Sequence, residues 1–370
     1  MVVDLIKFAD RWIGTPLCYA LYLADKFRKN GRNTPKKILV ILFWGIGSNV
    51  NSLPAIKVLK SKFPKSKITV LAPLKNKELF YGADYIDKMI YIDIGIWRLI
   101  KTIFRVRGRF DLVIDMEHWM NISAIISFFA AKRRIGFYNT TRSILYNEKV
   151  KFDRESHAVV NNLKLLKPLG IDAKVNELVK LGYSDADKGY ADGFLKTKGI
   201  GRKDFVVGVC PGSGATVMQR RWLSKRFAEA ADRLIELYKA KIIFVGSNDE
   251  KKLIKSIIGM MKYNAVDASG SSLGKLIALV DNFDLMISND TGPMHIAAAQ
   301  GVKTIGLFGP ETPVIFGPYG KKNIGLFKGV KCSPCIKVYK GGYRDCDDNI
   351  CMKAISVDDV LGAVRKIVGK

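Results

Sequence analysis

The chain has 370 residues, 48% of them hydrophobic and 26% charged, and 61 Lys+Arg against 34 Asp+Glu give a formal net charge of +27. That length suits two domains, each with its own core, and the composition excludes a disordered or fibrous chain. The positive balance points to acidic partners (nucleic acid, anionic membrane or phosphorylated substrates), but no RNA-binding signature, zinc-finger spacing or helix-turn-helix punctuation favours nucleic acid.

Residues 1–35 form a segment of their own in sequence. Leu5, Ile6, Phe8, Trp12, Ile13, Leu17, Tyr19, Leu21, Tyr22, Leu23 and Phe27 make a broad apolar stripe, and Lys26, Arg28, Lys29, Arg32, Lys36 and Lys37 follow as a basic run. Asp4, Lys7, Asp10 and Arg11 interrupt the stripe, and no apolar run approaches the roughly 18 residues of a membrane span. The pattern fits an amphipathic segment at an anionic membrane interface. The alternative is a helix packed on the protein's own surface and broken by Gly14 and Pro16. On the interfacial reading, removing residues 1–30 leaves a folded protein that no longer binds anionic vesicles.

Lys37–Phe43 is a continuous apolar run of the kind a buried parallel strand carries. It opens into Trp44-Gly45-Ile46-Gly47-Ser48-Asn49-Val50-Asn51-Ser52 and then a helix with Pro54 near its start. Further strands are expected at Lys67–Leu71, Met89–Ile92 and Asp111–Asp115. The last ends in Met116-Glu117-His118-Trp119, and an apolar helix through Ser127 and Phe129 comes next. Lys132–Phe137 reads as a basic run into a short strand, Arg142 lies in an irregular stretch, and Glu155–Ala158 opens a helix through Leu166.

From about Pro168 to Arg202 the chain reads as linker plus a short helix. A second strand–helix series starts at Phe205–Cys210 and leads into Pro211-Gly212-Ser213-Gly214-Ala215, then Gln219-Arg220-Arg221-Trp222 and a helix from Ser224. The next strand, Lys241–Val245, ends in Gly246-Ser247-Asn248-Asp249-Glu250. Asp284–Asn289 is an apolar strand that turns polar, followed by Asp290-Thr291-Gly292-Pro293-Met294-His295, a small-residue helix to Gly301 and a strand at Thr304–Phe308. Thr291 and Gly292 thus sit at a helix start beyond the carboxyl end of a strand, where unpaired N–H groups and the helix dipole suit a phosphate. Two such arrays predict an α/β chain of two Rossmann-like domains, 36–180 and 181–355. A terminal helix at 356–370 could cross back to the first.

The motifs Pro-Gly-Ser-Gly-Ala (211–215), Arg-x-Trp (220–222), Gly-Ser-Asn-Asp-Glu (246–250), Asn-Asp-Thr-Gly-Pro-Met-His-Ile-Ala-Ala-Ala (289–299) and Gly-Leu-Phe-Gly-Pro-Glu-Thr-Pro (306–313) together resemble glycosyltransferase family 9, the ADP-heptose:lipopolysaccharide heptosyltransferases. The resemblance covers roughly residues 36–368 and is most specific from 208 to 320. It implies a GT-B fold, with the two domains facing each other across a cleft, and an inverting, metal-independent transfer from a nucleotide-sugar donor. By resemblance, Thr291 and Gly292 hold the donor diphosphate. Arg220 replaces the usual lysine as the phosphate cation, Asp290 and His295 line the sugar and phosphate site, and one of Asn248, Asp249 and Glu250 meets the ribose. Ser213 and Gly214 belong to the phosphate loop.

One departure stands out. Where the family commonly carries Gly-Asp in the first loop, this chain has Gly47-Ser48, and an unassisted serine hydroxyl is a poor general base at neutral pH. Glu117 is the best substitute, ahead of Asp115 and His118, and the bland alternative is a solvated loop acid.

Cys332-x2-Cys335-x10-Cys346-x4-Cys351 could hold a structural zinc or an iron–sulfur cluster, form two disulfides, or remain free. Transfer itself requires no cofactor on this reading.

The expectation is a cytoplasmic enzyme, peripheral on the inner face of the cytoplasmic membrane, that acts on an acidic or phosphorylated glycolipid and not on nucleic acid. The alternatives are a nucleotide-sugar epimerase of similar architecture and a catalytically silent glycan- or membrane-binding relative.

Overall fold

The computed structural model describes residues 8, 10–25, 34–43, 45–93, 95–138, 140–214, 217–336 and 346–369. The basic run at 26–32, Trp44 of the first loop and Ala215 of the phosphate loop lie outside the described residues. The chain divides into two compact units. The first holds the residues through Lys77 together with Ala83–Val175, and the second holds Glu78–Gly82, Asn176–Ile336 and the described C-terminal residues.

In the first unit the elements run α1 (Gly14–Asp25), β1 (Lys37–Ile41), α2 (Ile46–Lys62), β2 (Lys67–Pro73), β3 (Lys88–Ile92), α3 (Ile96–Val106), β4 (Leu112–Asp115), α4 (Asn121–Ala130), β5 (Arg133–Tyr138), β6 (Glu148–Lys151) and α5 (Ala158–Lys164). The second runs α6 (Asp185–Thr197), β7 (Val206–Cys210), α7 (Ser224–Tyr238), β8 (Lys241–Phe244), α8 (Lys251–Ile258), β9 (Val266–Asp267), α9 (Leu273–Val280), β10 (Leu285–Asn289), α10 (Gly292–Ala299), β11 (Lys303–Phe308), α11 (Pro313–Phe316), β12 (Ile324–Phe327), α12 (Ile350–Lys353) and α13 (Val357–Val368).

Among the described residues the strands form two parallel sheets of six, in the orders β3-β2-β1-β4-β5-β6 and β12-β11-β10-β7-β8-β9. Counted from the first strand of each unit, both follow the doubly wound order 3-2-1-4-5-6. The order reverses between β1 and β4 in the first sheet and between β7 and β10 in the second. At each reversal, connections leave neighbouring strands in opposite directions and open a crevice beyond the carboxyl ends. Ile38 to Ile41 and all of β4 are buried, which explains their unbroken apolar sequences.

Three sequence expectations change here. The stretch 46–52 is not a loop: α2 already starts at Ile46, so Ser48 lies in its first turn and Pro54 lies inside the helix. The last helix, α13, does not cross back. Its Val357, Val360, Leu361 and Val364 share the second unit's core with Val207, Leu285 and Ile305, because its apolar stripe needs a sheet face to cover.

The N-terminal segment is not a detachable appendage either. α4 is apolar on every side, a pattern that stays in water only if neighbours enclose it, and α1 and α3 flank it. Cys18 packs with Ala124, Ile125, Phe128 and Leu145. Gly14 lies so close that a Cβ there would stand 2.9 Å from the Cβ of Asn121. Asp10 caps α4: its carboxylate accepts the N–H groups of Asn121 (2.8 Å) and Ile122 (2.9 Å), two of the donors a helix start leaves without partners.

Candidate active site

The first crevice lies beyond β1 and β4. Leu42, Phe43, Ser48, Asn49, Ser52, Met116, Glu117 and His118 line one small cavity there, so Ser48 and Glu117, separated by 69 positions in sequence, meet at one place. Glu117 is buried, and its Oε1 accepts the N–H of His118 at 2.9 Å. Burial pushes its carboxyl up to about 7, with the nearby Arg142 guanidinium pulling the other way. An acid in this range can take a proton near neutrality and release it again. His118 stands between the rings of Phe137 and Phe152, and burial, reinforced by Arg142, lowers it to about 3, so the ring is neutral at pH 7.

Asp115 closes β4 beside this cavity. Its carboxylate is fully buried. Oδ2 meets Arg142 Nη2 at 2.8 Å and accepts the Tyr146 hydroxyl at 2.6 Å, while Oδ1 accepts the N–H of Glu117 at 3.0 Å. Both oxygens are thus engaged, with a guanidinium against Oδ2, so Asp115 anchors Arg142 and Tyr146. Arg142 in turn donates to the Glu117 carbonyl at 2.5 Å and to Tyr146. The pair of charges and the tyrosine therefore fix the backbone on which Glu117 stands. Sequence reading left Arg142 in an irregular stretch. Its one-turn spacing from Tyr146, on the short 3₁₀ segment Thr141–Leu145 and the residue after it, was the available signal.

The second crevice lies beyond β7 and β10. α10 begins at Gly292 with Thr291 as its N-cap, and no side-chain hydrogen bond caps it. Pro293 carries no N–H and Met294 donates its own to the Thr291 carbonyl at 3.2 Å, so Gly292 supplies the N–H at this helix start, the kind of donor that receives an anion. Arg220 reaches this turn: its Nε lies 3.2 Å from Asp290 Oδ2, and its Nη1 donates to the Asp290 carbonyl at 3.3 Å. Burial raises the Asp290 carboxyl and Arg220 opposes the rise. His295 is buried within α10.

The phosphate loop approaches the same turn. Ser213 donates to the Val217 carbonyl at 2.9 Å. Gly214 donates its N–H to Glu250 Oε1 at 3.0 Å, and Glu250 Oε2 accepts the N–H of Ser247 at 2.9 Å. Glu250 presses so closely on the loop that a Cβ at Gly212 would stand 2.0 Å from its Oε1. It therefore braces the loop, and of the expected ribose candidates Asn248 and Asp249 are exposed.

Asn289 was absent from the sequence candidates and is central to this crevice. Fully buried at the end of β10, it donates to the carbonyls of Pro211 (2.7 Å) and Gly212 (3.3 Å) and accepts the N–H of Trp222 (3.1 Å). An asparagine closing an apolar strand beside Asp290 was its only sequence mark.

Among the described residues the cysteine tail does not form a metal centre, one of the alternatives that its spacing left open. Cys332 is exposed, Cys335 and Cys346 are half-buried, and Cys351 is buried. Burial pushes Cys351 up to about 11, with smaller rises from the other three. Yet among the described residues no group of three or more His, Cys, Asp or Glu side chains is arranged to hold a metal ion. Cys351 instead packs in the core beneath Gly309, where an added Cβ would lie 2.8 Å from its sulfur.

Residues 96–341 match the model of glycosyltransferase family 9 (heptosyltransferase). The chain belongs to glycosyltransferase family 9. Among curated relatives of this family 9 chain, the lipopolysaccharide core heptosyltransferase OpsX of Haemophilus influenzae is 22% identical over 295 residues, which is 77% of this chain and 82% of that protein. Among solved structures, a family 9 glycosyltransferase from Veillonella parvula superposes with a TM-score of 0.78 at 23% identity, covering 92% of this chain and 99% of the other. The E. coli ADP-heptose lipopolysaccharide heptosyltransferase II superposes with a TM-score of 0.69 at 21% identity, covering 90% and 98%. The two parallel six-stranded sheets are thus those of the GT-B fold of these enzymes.

Proposed function

We propose that this chain transfers a heptose-type sugar, with inversion, from an ADP-heptose-like donor onto a lipopolysaccharide core or related surface-glycan acceptor. The observation that carries this reading is the buried Glu117 beside Ser48 at the first unit's switch point, in a family 9 chain that lacks the usual loop aspartate. Glu117 takes the proton from the acceptor hydroxyl while that oxygen attacks the anomeric carbon. The bond from that carbon to the diphosphate oxygen breaks, and the nucleoside diphosphate leaves.

On the second unit, the α10 N–H groups at Thr291 and Gly292, together with Arg220, receive the charge that develops on the leaving diphosphate. Transfer on this scheme is metal-independent, and a chelator leaves turnover unchanged. Ser48 donates or accepts a hydrogen bond at the acceptor hydroxyl, and neutral His118 supports the shape of the cavity. The acceptor is an acidic or phosphorylated glycolipid, which suits the positive balance of the chain, and the enzyme works at the anionic inner face of the cytoplasmic membrane.

The test is purified protein with ADP-heptose and a truncated lipopolysaccharide acceptor, following released ADP and the mass of the acceptor. Acceptor-dependent ADP release with a matching mass gain is expected. A protein that binds the donor yet leaves the acceptor mass unchanged overturns the proposal.

A further inference from the structure

Helix α3 carries two apolar stripes, and among the described residues only one of them packs into a core. Leu99, Ile103 and Val106 pack into the core with Leu39, Ile41 and Ile126. Trp97, Ile100 and Phe104 recur at three- and four-residue spacing on the opposite side, one above the other along the helix. Trp97 is 79% exposed and Phe104 65% exposed. Arg98, Lys101 and Arg105 lie beside this outer stripe, and α3 contains no acidic residue.

α1 repeats the pattern on the other side of α4. Its inner residues Gly14 and Cys18 are buried against α4, whereas Tyr19 and Leu23 are exposed, as are Ile13 and Trp12 just before it, Trp12 at 64%. α3 and α4 pack against the first sheet, and α1 packs on α4 and on the 3₁₀ segment Thr141–Leu145, with its exposed apolar residues turned away from these contacts.

A groove of about 530 Å³ continues from the carboxyl end of α3. Lys36, Arg107, Lys132 and Arg133 line it, with Phe128 and Phe129 at its wall. Two carboxylates stand near these cations, and both are engaged: Asp111 accepts the N–H groups of Lys36 and Lys37 at 2.8 Å, and Glu148 pairs with Arg133 at 2.6 Å.

We propose that the first unit docks on an anionic lipid bilayer through the outer faces of α3 and α1, with the basic groove beyond α3 receiving lipid phosphate headgroups. An apolar stripe rich in tryptophan and phenylalanine, bordered by Lys101 and Arg105 and by Arg98 paired with Asp93, is what a helix lying in a bilayer interface presents, and bare aqueous exposure of it is unfavourable. Charge selects the occupant: Arg98, Lys101, Arg105 and Arg107 follow one another along α3 and past its end, matching a negatively charged lipid surface. Among the described residues no helix is long and apolar enough to cross a membrane, so these helices lie on the bilayer surface. The proposal rests on the glycolipid acceptor of the proposed function only for its purpose. Its test reads lipid binding alone.

The experiment is co-sedimentation of the full chain with phosphatidylcholine vesicles made with and without phosphatidylglycerol. Two double variants are compared with wild type: Trp97→Ser with Phe104→Ser, and Lys101→Ala with Arg105→Ala. Every substituted side chain is at the surface, and circular dichroism confirms that the variants are folded. Wild type binds the phosphatidylglycerol vesicles. The aromatic variant loses roughly tenfold or more in partitioning, and the cation variant loses roughly 30-fold with a weaker response to salt. Equal wild-type binding to vesicles with and without phosphatidylglycerol overturns the proposal, and so does unaltered binding by the aromatic variant. A wild-type dimer that the aromatic variant converts to monomer assigns the face to a second copy and also overturns it. Vesicle binding by a protein that transfers no sugar upholds the docking surface and removes the proposed function instead.

Discussion

Replacing Glu117 with Gln tests the chemistry and the energetics of the first crevice together. Gln keeps the shape and can still accept the His118 N–H at Oε1, but it cannot take up a proton. Burial raises the carboxyl from 4.5 to about 7, so the folded protein holds this proton more tightly than the unfolded chain does. A group raised in this way contributes stability that is present below pH 4.5 and is lost as pH rises through 7. The shift corresponds to about 3 kcal/mol of order-of-magnitude cost by pH 8.

Glu117→Gln carries no such cost. Urea unfolding should therefore place the variant level with wild type near pH 4 and more stable than wild type, by up to about 3 kcal/mol, near pH 8. Turnover should move the other way, falling about 10²–10⁴-fold, and the acid limb near pH 7 in the wild-type rate profile should vanish. Donor binding should be unchanged, since the donor turn belongs to the other unit. A variant that turns over normally, with the same acid limb, refutes Glu117 as the base. Parallel stability curves for the two proteins refute the burial account.

Arg142→Met leaves Asp115 buried without its guanidinium and should cost about 3–5 kcal/mol in urea unfolding; a loss below 1 kcal/mol would show that the hydroxyls of Tyr146 and of Ser127, which donates to Asp115 Oδ2 at 3.3 Å, suffice. Arg220→Ala should weaken nucleotide-sugar binding by roughly 1.5–3 kcal/mol in calorimetry, and unchanged affinity would remove Arg220 from the donor site. Asp10→Ala removes the carboxylate that caps α4 and should lower stability by about 0.5–2 kcal/mol. Deleting residues 1–30 should destabilise the first unit further, since Gly14 and Cys18 leave with them; thermal unfolding at the wild-type temperature would restore the view of a detachable segment.

Much of the architecture was readable because parallel strands buried on both faces must be continuously apolar, and most here lead into a helix that covers the sheet. β1, β7, β10 and α13 all announce themselves that way. The phosphate turn was equally legible, since Asp290-Thr291-Gly292-Pro293 joins helix-start chemistry to a strand end. What escaped depended on contacts between distant segments. Nothing local to Asp10 says that it caps a helix beginning at Asn121, and nothing local to Asp115 says that Arg142 will neutralise it. The outer stripe of α3 went unread for the opposite reason: Trp97 and Phe104 look like core residues until the inner stripe of Leu99, Ile103 and Val106 is seen to fill that place.

The amide of Asn289 ties the end of β10 to Pro211 and Gly212 on one side and to Trp222 on the other. Three chain segments that a ligand would otherwise have to gather are already gathered by the protein's own hydrogen bonds. The ordering entropy of those loops is lost during folding and not at the moment of binding, so affinity for the donor reflects its polar contacts with little deduction for assembling the site. Substrate range in such a rigid cradle changes by exchanging the exposed side chains around it, such as Asp249, while any exchange at Asn289 unfastens all three segments at once.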